Sequence, residues 1–273
     1  MKSETIKKRD VQLHIKKDGF FSFHIEGSEA SQLLITVDKH ISASLYITYH
    51  GIDIACNCHV VIESGSSCKI LFWNEVSSSM RFQQTAEVGR DASLTIGYGD
   101  LSEAEVVSDV QAALLEEGAQ VQLLTACISG QKKHYALHCL HEAAHTSSQM
   151  ENYCVVKKHG DYIMKANGQI KKGAYQSTSV QKSRVLTMSE QQRSEVIPLL
   201  LIDENDVKAG HATTVGQPDE RQLYYMQTRG LTREQAISLL VIGYMMPIAE
   251  IIDHEELRDQ LRTDIEKKVG YHA

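Results

Sequence analysis

His141-Glu142-Ala143-Ala144-His145 is the stretch whose residue types point most directly to catalysis. It has the H-E-x-x-H form of zinc hydrolases, in which two imidazoles four apart on a helix face one metal ion and the Glu acts as general base. Its surroundings argue for another conformation. Tyr135, Leu137 and Cys139 lead into it at period two, and on a strand residues four apart lie about 13 Å from one another, too far for one ion. No later His stands at the metzincin spacing. With 13 His in the chain, chance is the favoured origin. A zinc-dependent hydrolase using His141, Glu142 and His145 is the alternative to the reading developed below.

Thiols are the second candidate. Cys56-Asn57-Cys58 could supply half of a soft-metal site, but both Cys fall on the apolar side of an alternating run, where core packing is expected. Cys68, Cys127 and Cys139 also occupy strand-like positions, and no C-x-x-C pair occurs. There is no G-x-x-x-x-G-K-[ST], Gly97-Tyr98-Gly99 does not complete G-x-G-x-x-G, and no G-x-S-x-G occurs. Nucleotide hydrolysis by this chain itself is not expected.

The elements that must carry these residues fall into two regimes. Ile52, Ile54, Cys56, Cys58, Val60 and Ile62 alternate strictly with polar positions, which only a half-buried strand requires. Val11-Leu13-Ile15, Phe21-Phe23-Ile25 and Leu45-Ile47-Tyr49 are shorter runs of the same kind, given by alternate residues. A loose repeat places a Gly and a small residue before a strand at Gly65, Gly89, Gly118 and Gly173. Units of this length cannot bury an apolar face alone, so they stack. A β-helix is expected, with a β-sandwich as the structural alternative. From Pro218 the period becomes 3.6. Asp219-Glu220-Arg221-Gln222 and Thr232-Arg233-Glu234-Gln235 have capping-box form, and Gly230 is a stop. Pro247 should kink or restart the second helix. Leu257, Leu261 and Ile265 form one apolar stripe. The expected division is a β-helix core over 1–217 and a helical region over 218–273, packed against the end of the β-helix.

Composition narrows the function classes. The chain has 273 residues, 42% of them hydrophobic and 23% charged, enough apolar content for a packed core. A net charge of −7, with no Lys/Arg run longer than three, leaves no basic footprint for nucleic acid. No window reaches about 18 consecutive apolar residues, so no membrane partner is expected. Met1–Asp10 lacks an apolar export segment, so a cytoplasmic location with reduced thiols is expected. A carbohydrate-binding solenoid would need a row of exposed aromatics, and the chain has one Trp and 6% aromatics.

The most specific wording lies between Gln181 and Tyr244. Gln181-Lys182-Ser183-Arg184-Val185-Leu186-Thr187-Met188-Ser189 is followed by Pro198-Leu199-Leu200-Leu201-Ile202 and Asn205-Asp206-Val207-Lys208-Ala209-Gly210-His211-Ala212-Thr213-Thr214-Val215-Gly216. Leu223-Tyr224-Tyr225-Met226-Gln227-Thr228-Arg229-Gly230 and Glu234–Tyr244 complete the set. In order and wording these segments resemble the core domain of the SufB/SufD family of iron–sulfur cluster assembly proteins. The resemblance implies a mainly β fold, a right-handed parallel β-helix followed by a small C-terminal helical region. It also implies a non-catalytic subunit that pairs through its β-helix with a SufB-like chain or with itself as a homodimer. A SufC-type ABC ATPase would dock on the C-terminal helices. His211 falls on the family's turn His, a candidate iron or cluster ligand at the dimer interface. Ala212 stands where SufB-like members carry Glu, and Val215-Gly216 follow the SufD wording. No Cys falls on the SufB scaffold position. β pattern within the first fifteen residues suggests a short, core-only member. No tightly bound cofactor is expected, only a transient iron–sulfur cluster.

Overall fold

The computed structural model describes residues 4–7, 9–26 and 30–269; residues 1–3 and 8 of the opening segment read as lacking an export signal lie outside these, as do 27–29 and 270–273. Period-two runs become strands β1 (Glu4–Ile6), β2 (Asp10–Ile15), β3 (Gly19–Glu26), β4 (Ala30–Val37), β5 (Ser42–Ile62), β6 (Ser67–Val88), β7 (Ser93–Asp100) and β8 (Glu105–Leu114). They continue through β9 (Gln120–Ser129), β10 (Lys132–His141), β11 (Ser147–Val156), β12 (Asp161–Ile170), β13 (Ser177–Thr187), β14 (Arg193–Ile202) and β15 (Val207–Gly216). Three helices follow: α1 (Glu220–Thr228), α2 (Arg233–Ala249) and α3 (Glu255–Val269).

The strands pair in parallel and wind into a β solenoid of about seven turns, as the repeat pattern predicts. One face runs β3-β5-β6-β7-β9-β11-β13-β15 and the other β4-β5-β6-β8-β10-β12-β14. Long strands β5 and β6 serve both faces because each bends midway. Residues stacked one coil apart are separated by 19 to 32 positions along the chain. Inward residues of successive coils form apolar columns, including an aromatic cluster of Tyr49, Phe72, Phe82 and Tyr98 with ring centroids 5.3 to 6.1 Å apart. Ile54, Cys56, Cys58, Val60 and Ile62 all point into that core. Ile52 does not: it is 64% exposed, because a register shift between Gly51 and Asp53 carries it to the outer face.

Turns between coils need one residue in the left-handed region, and His40, Gly65, Asp91, Gly118, His145 and Gln176 fill that position with φ from 52° to 77°. In the unit that begins at Gly89, the left-handed residue is Asp91. These turns stack: the N–H groups of Gly65, Asp91 and His145 donate to the carbonyls of Arg90, Glu117 and Tyr175 in the next coil, at 2.8 to 3.0 Å. At Gly65 a side chain would also collide with the His40 ring, 2.5 Å from a Cβ placed there.

The helices lie on a flank of the solenoid and do not cover its end, contrary to the expectation above. Val241, Ile242, Met245, Ile248, Leu257, Leu261 and Ile265 pack on the outer face of β6, β7, β9 and β11, against Leu71, Trp73, Leu124, Ala126 and Tyr153. Gly97 and Gly99 open that face to the helix. A Cβ at Gly97 would lie 2.2 Å from Ile251 Cδ1, and one at Gly99 would lie 2.3 Å from the Trp73 ring. Thr232 and Gln235 form the capping box that starts α2. Pro247 does not restart α2, which runs through it and ends two residues later at Ala249. The proline sits in the last turn.

Candidate functional site at the open end of the solenoid

β14 and β15 are the last strands of their two faces, and each pairs on one side only, β14 with β12 and β15 with β13. Two rows of backbone donors and acceptors are therefore left on free edges, which natural solenoids cap or pair. Pro198 is tolerated in β14 for that reason, since an edge strand can lack one N–H. Apolar side chains accumulate at this end. Leu199, Leu201, Ile202, Val215 and nearby Val180 are all among the exposed large hydrophobic residues.

Register places His211 precisely in the chain of contacts that matters. It is the Cα partner of Gln181, which follows Met150, Leu123 and Ile96 in one inward column. Residues paired across parallel strands share a face, so His211 occupies an inward position. With no further coil above it, the residue is exposed. The interior beneath it changes character. β13 turns Ser177, Ser179, Gln181 and Ser183 inward, all buried. Thr125 donates to Asn152 at 3.1 Å, Asn152 donates to Ser183 at 3.1 Å, and Thr213 is next in register. Ser148 and Ser179 share a hydrogen bond of 3.0 Å. Gln181 Nε2 crosses the interior to donate to the Leu199 carbonyl of β14 at 2.7 Å.

The H-E-x-x-H motif takes another form. His141 is the last residue of β10 and is fully buried, its two ring nitrogens 2.7 Å from Thr146 Oγ1 and 2.8 Å from Ser148 Oγ. Burial pushes its pKa down to about 4, so it is a neutral imidazole locked into a hydroxyl network. His145 is the left-handed turn residue of the same coil and lies 3.8 Å from the Glu117 carboxylate. Glu142 pairs with Lys171 at 2.7 Å. The three side chains thus have separate structural partners, and a helix that would bring the imidazoles together is absent from this segment.

The six Cys are all buried and free. Burial pushes the Cys68 and Cys139 thiols up to about 12 and those of Cys58 and Cys154 well above the usual range, which disfavours thiolate. Cys127 and Cys154, stacked in adjacent coils, have sulfurs 3.4 Å apart. Trp73 lies under α2, and the exposed Tyr175, Tyr224 and Tyr225 do not form a row along the coils. Among the described residues no group of three His, Cys, Asp or Glu could hold a metal ion. No described helix is long and apolar enough to cross a membrane.

The sequence marks His211 by its family motif but gives Gln181 no role of its own. The available signal was four polar residues at period two, Ser177, Ser179, Gln181 and Ser183, in a strand that ought to bury apolar ones.

On the outer side of α1, Tyr224 and Tyr225 are 70% and 59% exposed. Arg221, Gln222, Tyr225, Met226 and Leu240 line a cleft of about 440 Å³ between α1 and α2. Glu220 and Arg233 clamp the two helices through a bidentate pair at 2.6 and 2.8 Å.

Comparison with known proteins agrees with this arrangement. Residues 23–244 match the family model described as SUF system FeS cluster assembly, SufBD core domain. The chain is 32% identical over 250 residues to the iron–sulfur cluster assembly protein SufD of Bacillus subtilis, covering 88% of this chain and 57% of that protein. It is 33% identical over 159 residues to a SufBD family protein of Mycobacterium tuberculosis, covering 56% of this chain and 19% of the relative. A SufBD family protein of Staphylococcus haemolyticus is 23% identical over 177 residues, covering 63% and 38%. The chain therefore spans less than two thirds of the length of these relatives. With the solenoid, the inward His and the ordered motifs all in one chain, this protein belongs to the SufB/SufD family of iron–sulfur cluster assembly proteins and is SufD-like.

Proposed function

We propose that this chain is a non-catalytic platform in a cytoplasmic iron–sulfur cluster assembly complex, pairing through its open end and coupled to an ABC-type ATPase through its helices. The observation that carries the reading is the uncapped last coil. Free strand edges, the inward His211, Val215 and Ile202, and the outward, exposed Leu199 and Leu201 all belong to the last coil. Burying that surface against a second β-helix, either a SufB-like subunit or another copy of this chain, satisfies the edges and removes the apolar groups from water.

His211 supplies one imidazole to a nascent cluster, which is cargo here and not a resident group. Among the described residues no cluster of Cys, Asp or Glu completes a site around it, so the remaining ligands come from the partner across the interface. Neutral imidazole is a competent iron ligand when its second nitrogen is held. Residues 1–217 then act as the pairing core. Residues 218–273 act as the docking region for a SufC-type ATPase, with Tyr224, Tyr225 and Met226 as aromatic and Met anchors. The ATPase provides the driving reaction.

A pull-down with a SufC-type ATPase, with ATP turnover followed on titration, tests the docking half. Binding that raises turnover and is lost in Tyr224→Ala/Tyr225→Ala supports it; no binding and no change in turnover removes it. Sedimentation tests the pairing half. A monomer at high micromolar concentration that also fails to bind a SufB-like chain would rule out the open end as an interface.

A further inference from the structure

Gln181 is buried to 2% exposure, and its amide orientation is fixed by one contact. Nε2 donates to the Leu199 carbonyl at 2.7 Å; reversing the amide would set oxygen against oxygen. Oε1 is therefore the atom left over, and it has no hydrogen-bond partner among the described residues. An unpaired buried acceptor is a standing cost that native structures rarely keep without a use. Its surroundings narrow the candidates for a donor. In the coil beneath, the register partner is Met150, which offers none. Along β13 the adjacent inward hydroxyls, Ser179 and Ser183, lie against Ser148 and Asn152 of the coil beneath, and neither reaches Oε1. In the coil above, the register partner is His211, one strand spacing of about 4.8 Å away.

We infer that Gln181 is a positioning residue for His211: the two side chains make no hydrogen bond in this structure, and a turn of the exposed His211 ring toward the interior lets Oε1 accept the N–H of one imidazole nitrogen, which fixes the tautomer that turns the other nitrogen's lone pair toward the open end. A neutral imidazole carries one N–H, and the nitrogen that can bind metal is the one left without it. An acceptor fixed from behind sets that choice, orients the ring and raises its basicity. Gln suits the place because its amide also ties β13 to β14 through Leu199, so the acceptor is itself held rigidly. The consequence for iron rests on the reading of His211 as a cluster ligand; the tautomer does not.

The test uses the full chain without metal first. Long-range ¹H–¹⁵N correlation of the His ring nitrogens, with His211 assigned by its loss in His211→Asn, reports the tautomer at pH 8. A single tautomer is expected in the unaltered protein and in Gln181→Glu, which keeps an acceptor but not the amide donor. A mixture is expected in Gln181→Met. The same tautomer in Gln181→Met as in the unaltered chain would overturn the inference. Because both variants lose the donor to Leu199, any change caused by that contact alone appears in both, and equal mixtures in the two would likewise overturn it. Ferrous ion alone is then titrated anaerobically into the paired protein. Gln181→Met should weaken the binding that His211→Ala removes by roughly 10- to 100-fold. If His211→Ala leaves ferrous binding unchanged, the ligand reading falls while the tautomer measurement still decides the role of Gln181.

Discussion

The middle coils and the last coil are built from the same strand–turn unit, yet they solve opposite problems. Around β7 to β11 every inward surface is occupied and the outer face is covered by α2 and α3. Even charge is accommodated there: Lys133 Nζ lies 2.7 Å from Asp100 Oδ2, with side chains 0% and 4% exposed. Tyr135 donates to the same carboxylate at 2.8 Å and Asn74 donates to its other oxygen at 3.2 Å. At β14 and β15 the inward column ends in His211, Val215 and Ile202 with no protein above them, beside free edges and the outward, exposed Leu199 and Leu201. The difference teaches that stability and interaction are divided along the axis of one solenoid. A middle coil has neighbours on both sides and can hold a buried ion pair such as Lys133–Asp100. The last coil has one neighbour and must leave its surface for another chain.

The largest effect should come from breaking the buried ion pair. Lys133→Ala strands the Asp100 carboxylate without its cation, and should cost about 3–5 kcal/mol in urea unfolding. A loss below about 1 kcal/mol would mean that the middle coils are not the stable part of the molecule.

His141 gives a pH-dependent version of the same contrast. Its folded pKa of about 4 lies below the 6.5 of a free imidazole. Between those values the unfolded chain binds a proton that the folded chain refuses, so stability is fully present above pH 6.5 and falls as pH drops toward 4. The loss is on the order of 3 kcal/mol. Unfolding midpoints at pH 7 and pH 4.5 should therefore diverge less in His141→Gln than in the unaltered chain. Equal divergence would show that His141 is not held neutral.

Filling the space above β7 is the next step down. Gly97→Val puts methyl groups where Ile251 and Ile248 now pack, and overpacking of this kind costs about 1–3 kcal/mol. Amide exchange in α2 should quicken while the solenoid interior stays protected. Uniform quickening would instead mean that flank and solenoid unfold together.

At the open end the sign of the contrast reverses. Leu199→Ser/Leu201→Ser should change the monomer's stability by less than about 0.5 kcal/mol per site and still abolish pairing in sedimentation. A large loss of stability with pairing intact would place these side chains in the fold and not at an interface.

Much of this is legible in the sequence. Period-two runs such as Val11-Leu13-Ile15 and Leu45-Ile47-Tyr49 demand a one-sided strand, and all six residues are buried. The capping residues Asp219 and Thr232 and the stripe Leu257, Leu261, Ile265 specify helices by local chemistry alone. Other features could not be read. Ile52 has the right residue type for the core, but a one-residue shift at Gly51 turned it outward. The flank under α2 is marked in sequence by Gly97 and by apolar residues such as Leu71, Trp73 and Leu124 at outward positions, but the reason is an approach by residues as far as about 150 positions later.

Local pattern thus determined what each segment is, because hydrophobic period, turn residues and caps act over a few neighbours. Contacts one coil apart were decided by tertiary structure. His145 looks like a metal ligand and is a turn residue, because the stacking of coils places it where Gly65 and Gly118 stand in others. Gln181 and His211 are thirty residues apart in the chain and adjacent in the fold. Their meeting depends on the register of β13 with β15. Register is fixed by the summed packing of every coil beneath, a quantity that no short stretch of sequence contains.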